Sequence, residues 1–146
     1  MTRKEIASKY LSNKFNCSQS VFVAFAQDHG LSVDDSLKIA CAFGGGMGRQ
    51  QKTCGAVTGA LMAIGMKYGK ALNDAEEKKK DTYDKTAEFF SEFKKIHGST
   101  NCKKLLNNLD MKKSDDMEKI RNMNLIDTLC PKYVETAVII AEKLIK

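Results

Sequence analysis

The sequence predicts an all-α protein, a single-domain helical bundle of about five main helices plus short helical turns, spanning residues 1–146. Three observations lead to this prediction. The chain contains one proline in 146 residues, which favours long uninterrupted helices. Helix-capping motifs precede its apolar stretches. No stretch shows the alternation of apolar and polar residues that is typical of a half-buried strand.

The first three helices are each predicted by a polar cap residue followed three positions later by an acidic or amide side chain. The motifs are Thr2-x-x-Glu5, Asn16-x-x-Gln19 and Ser32-x-x-Asp35. Gly30 is expected to end the second helix, because glycine readily adopts the left-handed conformation that terminates helices. The third helix is expected to end at the glycines that begin with Gly44.

The remaining helices follow from similar signals. Thr53 is predicted to cap a fourth helix that runs to about Tyr68. Asp74-x-x-Glu77 is predicted to open the longest helix, with Tyr83, Ala87 and Phe90 as its apolar stripe and Gly98 as its end. Phe89, Phe93 and Ile96 are expected beside this stripe. Short helices are expected after Asn101 and at Ser114. The last helix has the clearest apolar periodicity, and Pro131 is predicted at its first position.

Charge and hydropathy exclude several classes of function. The net charge is +6 with a pI near 9.0, but acidic residues lie among the lysine pairs and triplets. A mixed solvated surface is therefore expected, and no nucleic-acid binding. The longest mostly apolar stretch, residues 55–66, is shorter than the ~20 residues that span a bilayer. The absence of an apolar targeting segment, together with an odd number of cysteines, predicts a cytoplasmic location.

Four of the five cysteines fall at predicted helix starts. They are Cys17, Cys54, Cys102 and Cys130. The first three follow a predicted cap residue, and Cys130 itself is predicted to cap the last helix. A helix start favours the thiolate and so lowers the thiol pKa. Cys41, which lies between two alanines inside a predicted helix, is expected to be a small core residue.

The spacing of these cysteines bears on their chemistry. No pair forms C-x-x-C, which disfavours a thioredoxin-like site and a zinc ribbon, since both use local pairs. Chemistry would require remote helix starts to converge at one pole of the bundle. Simple packing of each thiol in the core is the alternative, because free cysteine is among the most buried residue types.

A glycine-rich turn and a helix of small residues lie between the second and third cysteines. Residues 46–53 have the outer spacing of a phosphate-binding loop but lack its second glycine, and no strand precedes them, so nucleotide binding is not expected. The turn is expected to let backbone N–H groups approach sulfur or a cluster. Gly55, Gly59 and Ala63 share one helix face, and tight packing against another helix is favoured over ligand contact.

These motifs together resemble a known family. Asn16-Cys17-Ser18-Gln19, the glycine turn, Cys54-Gly55-Ala56-Val57-Thr58-Gly59 and two later single cysteines are similar to the C_GCAxxG_C_C family of redox-active four-cysteine proteins. The resemblance covers nearly the whole chain. It implies that the four cysteines are the catalytic residues and that Gly55, Ala56 and Gly59 complete the central, cofactor-binding motif. It also implies a functional link to a transporter.

Three functions are compatible with the sequence. The first is thiol–disulfide or electron-transfer chemistry, as in a thiol-based oxidoreductase with an unknown redox partner. Cys17 and Cys54 are the expected pair of reacting cysteines, because both flank the glycine-rich segment. The second is a metal site in which all four cysteines bind zinc or an iron–sulfur cluster. The third is a non-enzymatic helical interaction module.

Overall fold

The computed structural model describes residues 1–146 and is built from helices alone. It contains eight helices and no strand, which confirms the predicted all-α class and exceeds the predicted count of about five main helices. The helices are α1 (Arg3–Ser12), α2 (Cys17–Ala26), α3 (Val33–Cys41), α4 (Gly55–Tyr68), α5 (Glu77–His97), α6 (Cys102–Leu105), α7 (Ser114–Asn122) and α8 (Leu125–Leu144). A short helical turn, Gly44–Met47, lies between α3 and α4 and is hereafter the glycine turn. None of the helices combines the length and apolar character needed to cross a bilayer.

The starts of α1, α2 and α3 coincide with the predicted caps. In each case the cap side chain accepts a hydrogen bond from the backbone N–H three residues later. The pairs are Thr2 with Glu5, Asn16 with Gln19 and Ser32 with Asp35. Such a cap stabilises a helix by about 1 kcal/mol. Because Asn16 immediately precedes Cys17, its cap also fixes the position of that cysteine at the start of α2.

The α4 helix packs closely against α2 along a row of small residues. A Cβ atom added at Gly59 would lie 2.7 Å from the carbonyl oxygen of Ser18 and 3.0 Å from Cβ of Val21. The predicted role of this glycine face in helix packing is therefore confirmed. The helix begins one residue later than predicted, so that Cys54 rather than Thr53 occupies the cap position.

The α5 helix differs from the prediction in its start and in its buried face. It begins at Glu77, and Asp74 instead caps a preceding turn. Phe89 and Phe93 are fully buried, whereas Tyr83, which the sequence placed on the apolar stripe, is 66% exposed. The buried face is therefore rotated relative to the predicted one.

The α8 helix begins earlier than the sequence predicts. Its first residue is Leu125, so Pro131 lies inside the helix and Cys130 is not its cap. A proline removes one backbone hydrogen bond and its ring clashes with the carbonyl group four residues earlier. Burial of Leu125 in the core offsets this cost and holds the preceding turns in the helix.

The buried residues form two clusters of unequal size. The main cluster contains 23 residues, drawn from α1 to α6 and α8. The second cluster consists of Cys102, Leu106, Ile120, Leu125 and Cys130. The side chain of Cys17 packs against both clusters. The cysteines therefore lie at the boundary between the two clusters.

Candidate functional site

All five cysteines line one half-open cavity of about 1000 Å³. Its walls come from the starts of α2, α4 and α6, the glycine turn, and the first turns of α8. The fold thus brings together Cys17, Cys54, Cys102 and Cys130, which are remote in sequence. Three of the four lie at helix starts as predicted, and Cys130 does not.

An isolated antiparallel bridge holds Cys54 and Cys102 side by side. The bridge pairs Thr53 with Asn101, the residues that immediately precede the two cysteines. The amide N–H of each cysteine donates to a carbonyl oxygen on the opposite segment at 2.7 Å. Because side chains alternate along an extended segment, both cysteines lie on the opposite face from the bridged pair. Their exposed fractions are 4% and 8%.

The position of Cys17 depends on the glycine that follows Cys54. A Cβ atom added at Gly55 would lie 3.3 Å from Cβ of Cys17 and 3.1 Å from the amide nitrogen of Ser18. The absence of a side chain at Gly55 therefore allows the starts of α2 and α4 to approach each other. This approach places Cys17 and Cys54 on the same cavity wall.

The three residues expected to complete a cofactor site do not lie together on the cavity. Gly55 lines the cavity, whereas Ala56 and Gly59 do not. Ala56 is fully buried in the main cluster, and Gly59 packs against the backbone of α2. The close approach of the two helices accounts for both glycines without a cofactor.

Cys130 and Tyr133 project into the cavity from one face of α8, because residues three apart lie on the same side of a helix. The Tyr133 hydroxyl donates a hydrogen bond to the carbonyl oxygen of Leu105 at 2.6 Å. Burial and the nearby thiols, that of Cys130 first among them, raise the pKa of Tyr133. The sequence did not single out this tyrosine, although its spacing from Cys130 was a usable signal.

The prediction that Cys41 is a core residue is wrong. Its side chain is exposed at the carboxyl end of α3 and lies on the wall of the cavity. The helix buries Ser36 and Ala40 instead, which are four residues apart and share a face. Since consecutive helical residues differ in direction by about 100°, Cys41 is turned away from that face.

The pKa values of three thiols, Cys17, Cys54 and Cys102, are shifted in the direction opposite to the prediction. Interaction with the Cys130 thiol, followed by burial, raises the pKa of Cys17 well above its ordinary value. Burial and the neighbouring Cys17 raise the pKa of Cys54 to about 12. Burial, Cys54 and Cys17 raise the pKa of Cys102 to about 12. The helix starts do favour the thiolate, but desolvation outweighs them.

Comparison with known proteins places this arrangement in a family. The family model described as "Putative redox-active protein (C_GCAxxG_C_C)" matches residues 15–144. The chain belongs to this family. An uncharacterised protein of Archaeoglobus fulgidus is 30% identical over 115 residues, covering 74% of this chain and 76% of that protein. No solved structure matches the chain significantly.

The four cysteines of the C_GCAxxG_C_C pattern line one cavity, yet they do not form a metal site as they stand. No group of three or more histidine, cysteine, aspartate or glutamate side chains is arranged so that it could hold a metal ion. Four thiolates would suit zinc or iron chemically. The geometry of this family member instead places neighbouring thiols around a half-open cavity of a size that admits a small molecule.

Proposed function

We propose that the chain performs thiol–disulfide exchange, with Cys17 and Cys130 as the dithiol that becomes oxidised. The observation that carries this proposal is that the Cys17 side chain packs against the cluster that contains Cys130 and that both residues line the same cavity. The Cys130 thiol is also the largest cause of the raised pKa of Cys17. The pair differs from the Cys17–Cys54 pair expected from the sequence. Its members come from α2 and α8, so a disulfide between them would join the two hydrophobic clusters.

Access and surroundings support the same proposal. Both thiols line the cavity, and Cys17 is partly exposed while Cys130 is 9% exposed. A reagent in the cavity therefore has both residues of the proposed dithiol on the surrounding wall. Cys54 and Cys102 form a second pair of neighbouring cysteines on the cavity wall, and in this proposal they stay reduced.

The proposed reaction conserves atoms and electrons. The Cys17 sulfur attacks one sulfur of a substrate disulfide R–S–S–R, forming a mixed disulfide and releasing one R–SH. The Cys130 sulfur then attacks the Cys17 sulfur, which forms the intramolecular disulfide and releases the second R–SH. Two electrons pass from the protein to the substrate, and the two thiol protons pass to the leaving groups.

Thiol counting before and after oxidation by a small neutral disulfide tests this proposal. The reduced chain has five thiols, and we expect about three after oxidation, with peptide mapping locating the new bond between Cys17 and Cys130. The variant Cys130→Ser should lose this bond. The variant Cys41→Ser is the matched control and should still lose about two thiols.

Two results would contradict the proposal. One is a thiol count that stays near five, by the number of cysteines in the chain, because the cluster would then serve packing alone. The other is stoichiometric zinc or iron in anaerobically purified protein whose thiols resist oxidation until a chelator is added. That second result would favour the metal site built from all four cysteines, and a broad visible absorbance band would identify an iron–sulfur cluster.

A further inference from the structure

We infer that Gln51 holds residues 107–113 against the thiol cavity as one of its walls, so that the cavity accepts small disulfides and excludes disulfides carried by folded proteins. This segment is hereafter the strap. The inference rests on the proposed exchange reaction and specifies its substrate class. The observations that carry it are a buried glutamine side chain bonded at both ends of its amide, and the position of the strap beside the cysteines.

The strap packs against the smaller of the two hydrophobic clusters, which contains Cys102 and Cys130. Its Leu109 and Met111 side chains are partly buried against this cluster. Met111 also lines the cavity. A movement of the strap away from the cluster would therefore widen the cavity on the side where Cys130 lies.

The side chain of Gln51 connects the strap to the opposite side of the cavity. Its Nε2 atom donates a hydrogen bond to the carbonyl oxygen of Leu109 at 2.9 Å, and its Oε1 atom accepts one from the backbone N–H of Met111 at 2.8 Å. Gln51 is 5% exposed. Leaving either end of a buried amide unpaired is costly, so these two bonds define the position of the strap.

The backbone of Gln51 is held in place by the glycine turn. Its N–H donates to the carbonyl oxygen of Gly45 at 3.1 Å, and its Cα atom lies 2.8 Å from the position that a Cβ atom of Gly46 would occupy. Its φ of 55° is left-handed, which is uncommon for a residue other than glycine. Such a conformation persists only where the surrounding structure imposes it. Gln51 is therefore a fixed point to which the strap is bonded.

The other hydrogen bonds of the strap contribute less to this connection. One further bond joins the strap to residues that precede α6: Lys112 Nζ donates to Gln50 Oε1 at 2.7 Å on the exposed surface. The remaining bonds are made within the strap or to its neighbours in the chain, as from the N–H of Asp110 to Asp116. A surface bond adds little because water competes for both groups. The buried part of the connection thus depends on Gln51.

The size of the cavity and the burial of its thiols set the substrate class. A volume of about 1000 Å³ is that of a pocket for small molecules. Cys130 is 9% exposed and Cys17 is partly exposed. Exchange requires contact between the attacking sulfur and a disulfide sulfur. A small disulfide can make this contact inside the cavity, whereas the bulk around a disulfide on a folded protein keeps it outside while the strap is in place.

The test compares two disulfides that share a reacting group and differ in bulk. One is 2-hydroxyethyl disulfide, and the other is a small globular protein whose single surface cysteine is capped as the mixed disulfide with 2-mercaptoethanol. Both are applied to the Cys41→Ser chain, so that the exposed thiol does not contribute. We expect the small disulfide to oxidise the chain at least about tenfold faster than the bulky one, because access limits exchange.

Gln51→Met, added to the Cys41→Ser chain, keeps the length of the side chain and removes both hydrogen bonds to the strap. The ratio of the two rates should then fall about threefold or more, because the cavity opens to the bulky disulfide. Gln50→Met is the matched control, since it removes only the surface bond to Lys112. It should leave the ratio within about twofold of the original.

Equal rates with the two disulfides before any change at Gln51 would overturn the inference and leave the exchange reaction standing, and so would a ratio that Gln51→Met does not alter. If Gln51→Met fails to fold, hydrogen exchange of the Cys41→Ser chain decides. The Met111 amide should exchange at least about tenfold more slowly than in an unfolded chain, and exchange at the unfolded rate would overturn the inference. Failure of both disulfides to oxidise the thiols would instead overturn the proposed function, and the inference with it.

Discussion

The Cys54 thiol is subject to two opposing effects. The N–H groups of Ala56 and Val57 at the start of α4 lower its pKa, whereas burial and Cys17 raise it by more, to about 12. Near neutral pH the thiol is therefore mostly protonated and reacts slowly, since the thiolate is the nucleophile. Cys41, in contrast, is exposed to solvent. The five thiols of this protein should accordingly differ widely in reactivity.

We predict that iodoacetamide at about pH 8 modifies Cys41 first. In the folded chain Cys54 and Cys102 should react at least about a hundredfold more slowly than Cys41, because they are buried and protonated. Mass spectrometry of intact protein and of its peptides measures both rates. The Cys41→Ser variant should lose the fast phase alone. Labelling of Cys54 as quickly as Cys41 would show that the cavity wall opens readily.

At the scale of the helix, two glycines of α4 offer a matched comparison. Gly59 lies against Ser18 and Val21 of α2, whereas a Cβ atom added at Gly65 would meet nothing within 4 Å. We predict that Gly59→Ala lowers the free energy of unfolding by about 1–3 kcal/mol, because the added methyl group overpacks the interface. Gly65→Ala should raise it by up to about 1 kcal/mol, because alanine has the higher helix propensity.

Denaturant unfolding followed by circular dichroism measures the free energy of unfolding of both glycine variants. The two substitutions add the same methyl group to the same helix, so the difference between them isolates the contact with α2. Equal stability of the two variants would mean that α2 and α4 can separate slightly without cost. It would also weaken the role of close helix approach in positioning Cys17.

Helix starts set by local chemistry could be predicted from the sequence, and those set by the core could not. Asn16 and Asn101 both cap helices through their own side chains, and both caps were predicted. The start of α8 depends on burial of Leu125 against distant residues, and Pro131 was a misleading local signal. On α5 the threonines Thr82 and Thr86 are partly buried. A prediction based on apolar residues alone therefore missed part of the buried face of this helix.

At the scale of the whole molecule, the cysteines lie where two hydrophobic clusters meet, and α6 and α8 contribute residues to both clusters. The sequence identified which four cysteines to consider, but only the fold shows that they share a cavity with Cys41. The bridge between Thr53 and Asn101 has no sequence signature, because it joins two short extended segments.

Buried thiols with raised pKa values link the stability of the whole fold to pH. The ordinary pKa of a cysteine thiol is 9.0, which approximates the unfolded chain, and in the folded chain that of Cys54 is about 12. Between these values the unfolded state has lost the proton that the folded state retains, so the free energy of unfolding falls as pH rises. Below about pH 9 this contribution to stability is fully present, and it is lost as pH rises through about 12.

We therefore predict that the free energy of unfolding of the reduced protein falls between pH 8 and pH 10. The decrease should be smaller in Cys54→Ala by about 1 kcal/mol, because each pH unit between the two pKa values contributes about 1.4 kcal/mol. Lysine and tyrosine ionisation affects both proteins equally and cancels in the comparison. Cys41→Ser should follow the original curve, because that side chain is exposed. Parallel curves for the original protein and Cys54→Ala would mean that Cys54 ionises alike in the folded and unfolded chains, because water from the half-open cavity reaches its thiol.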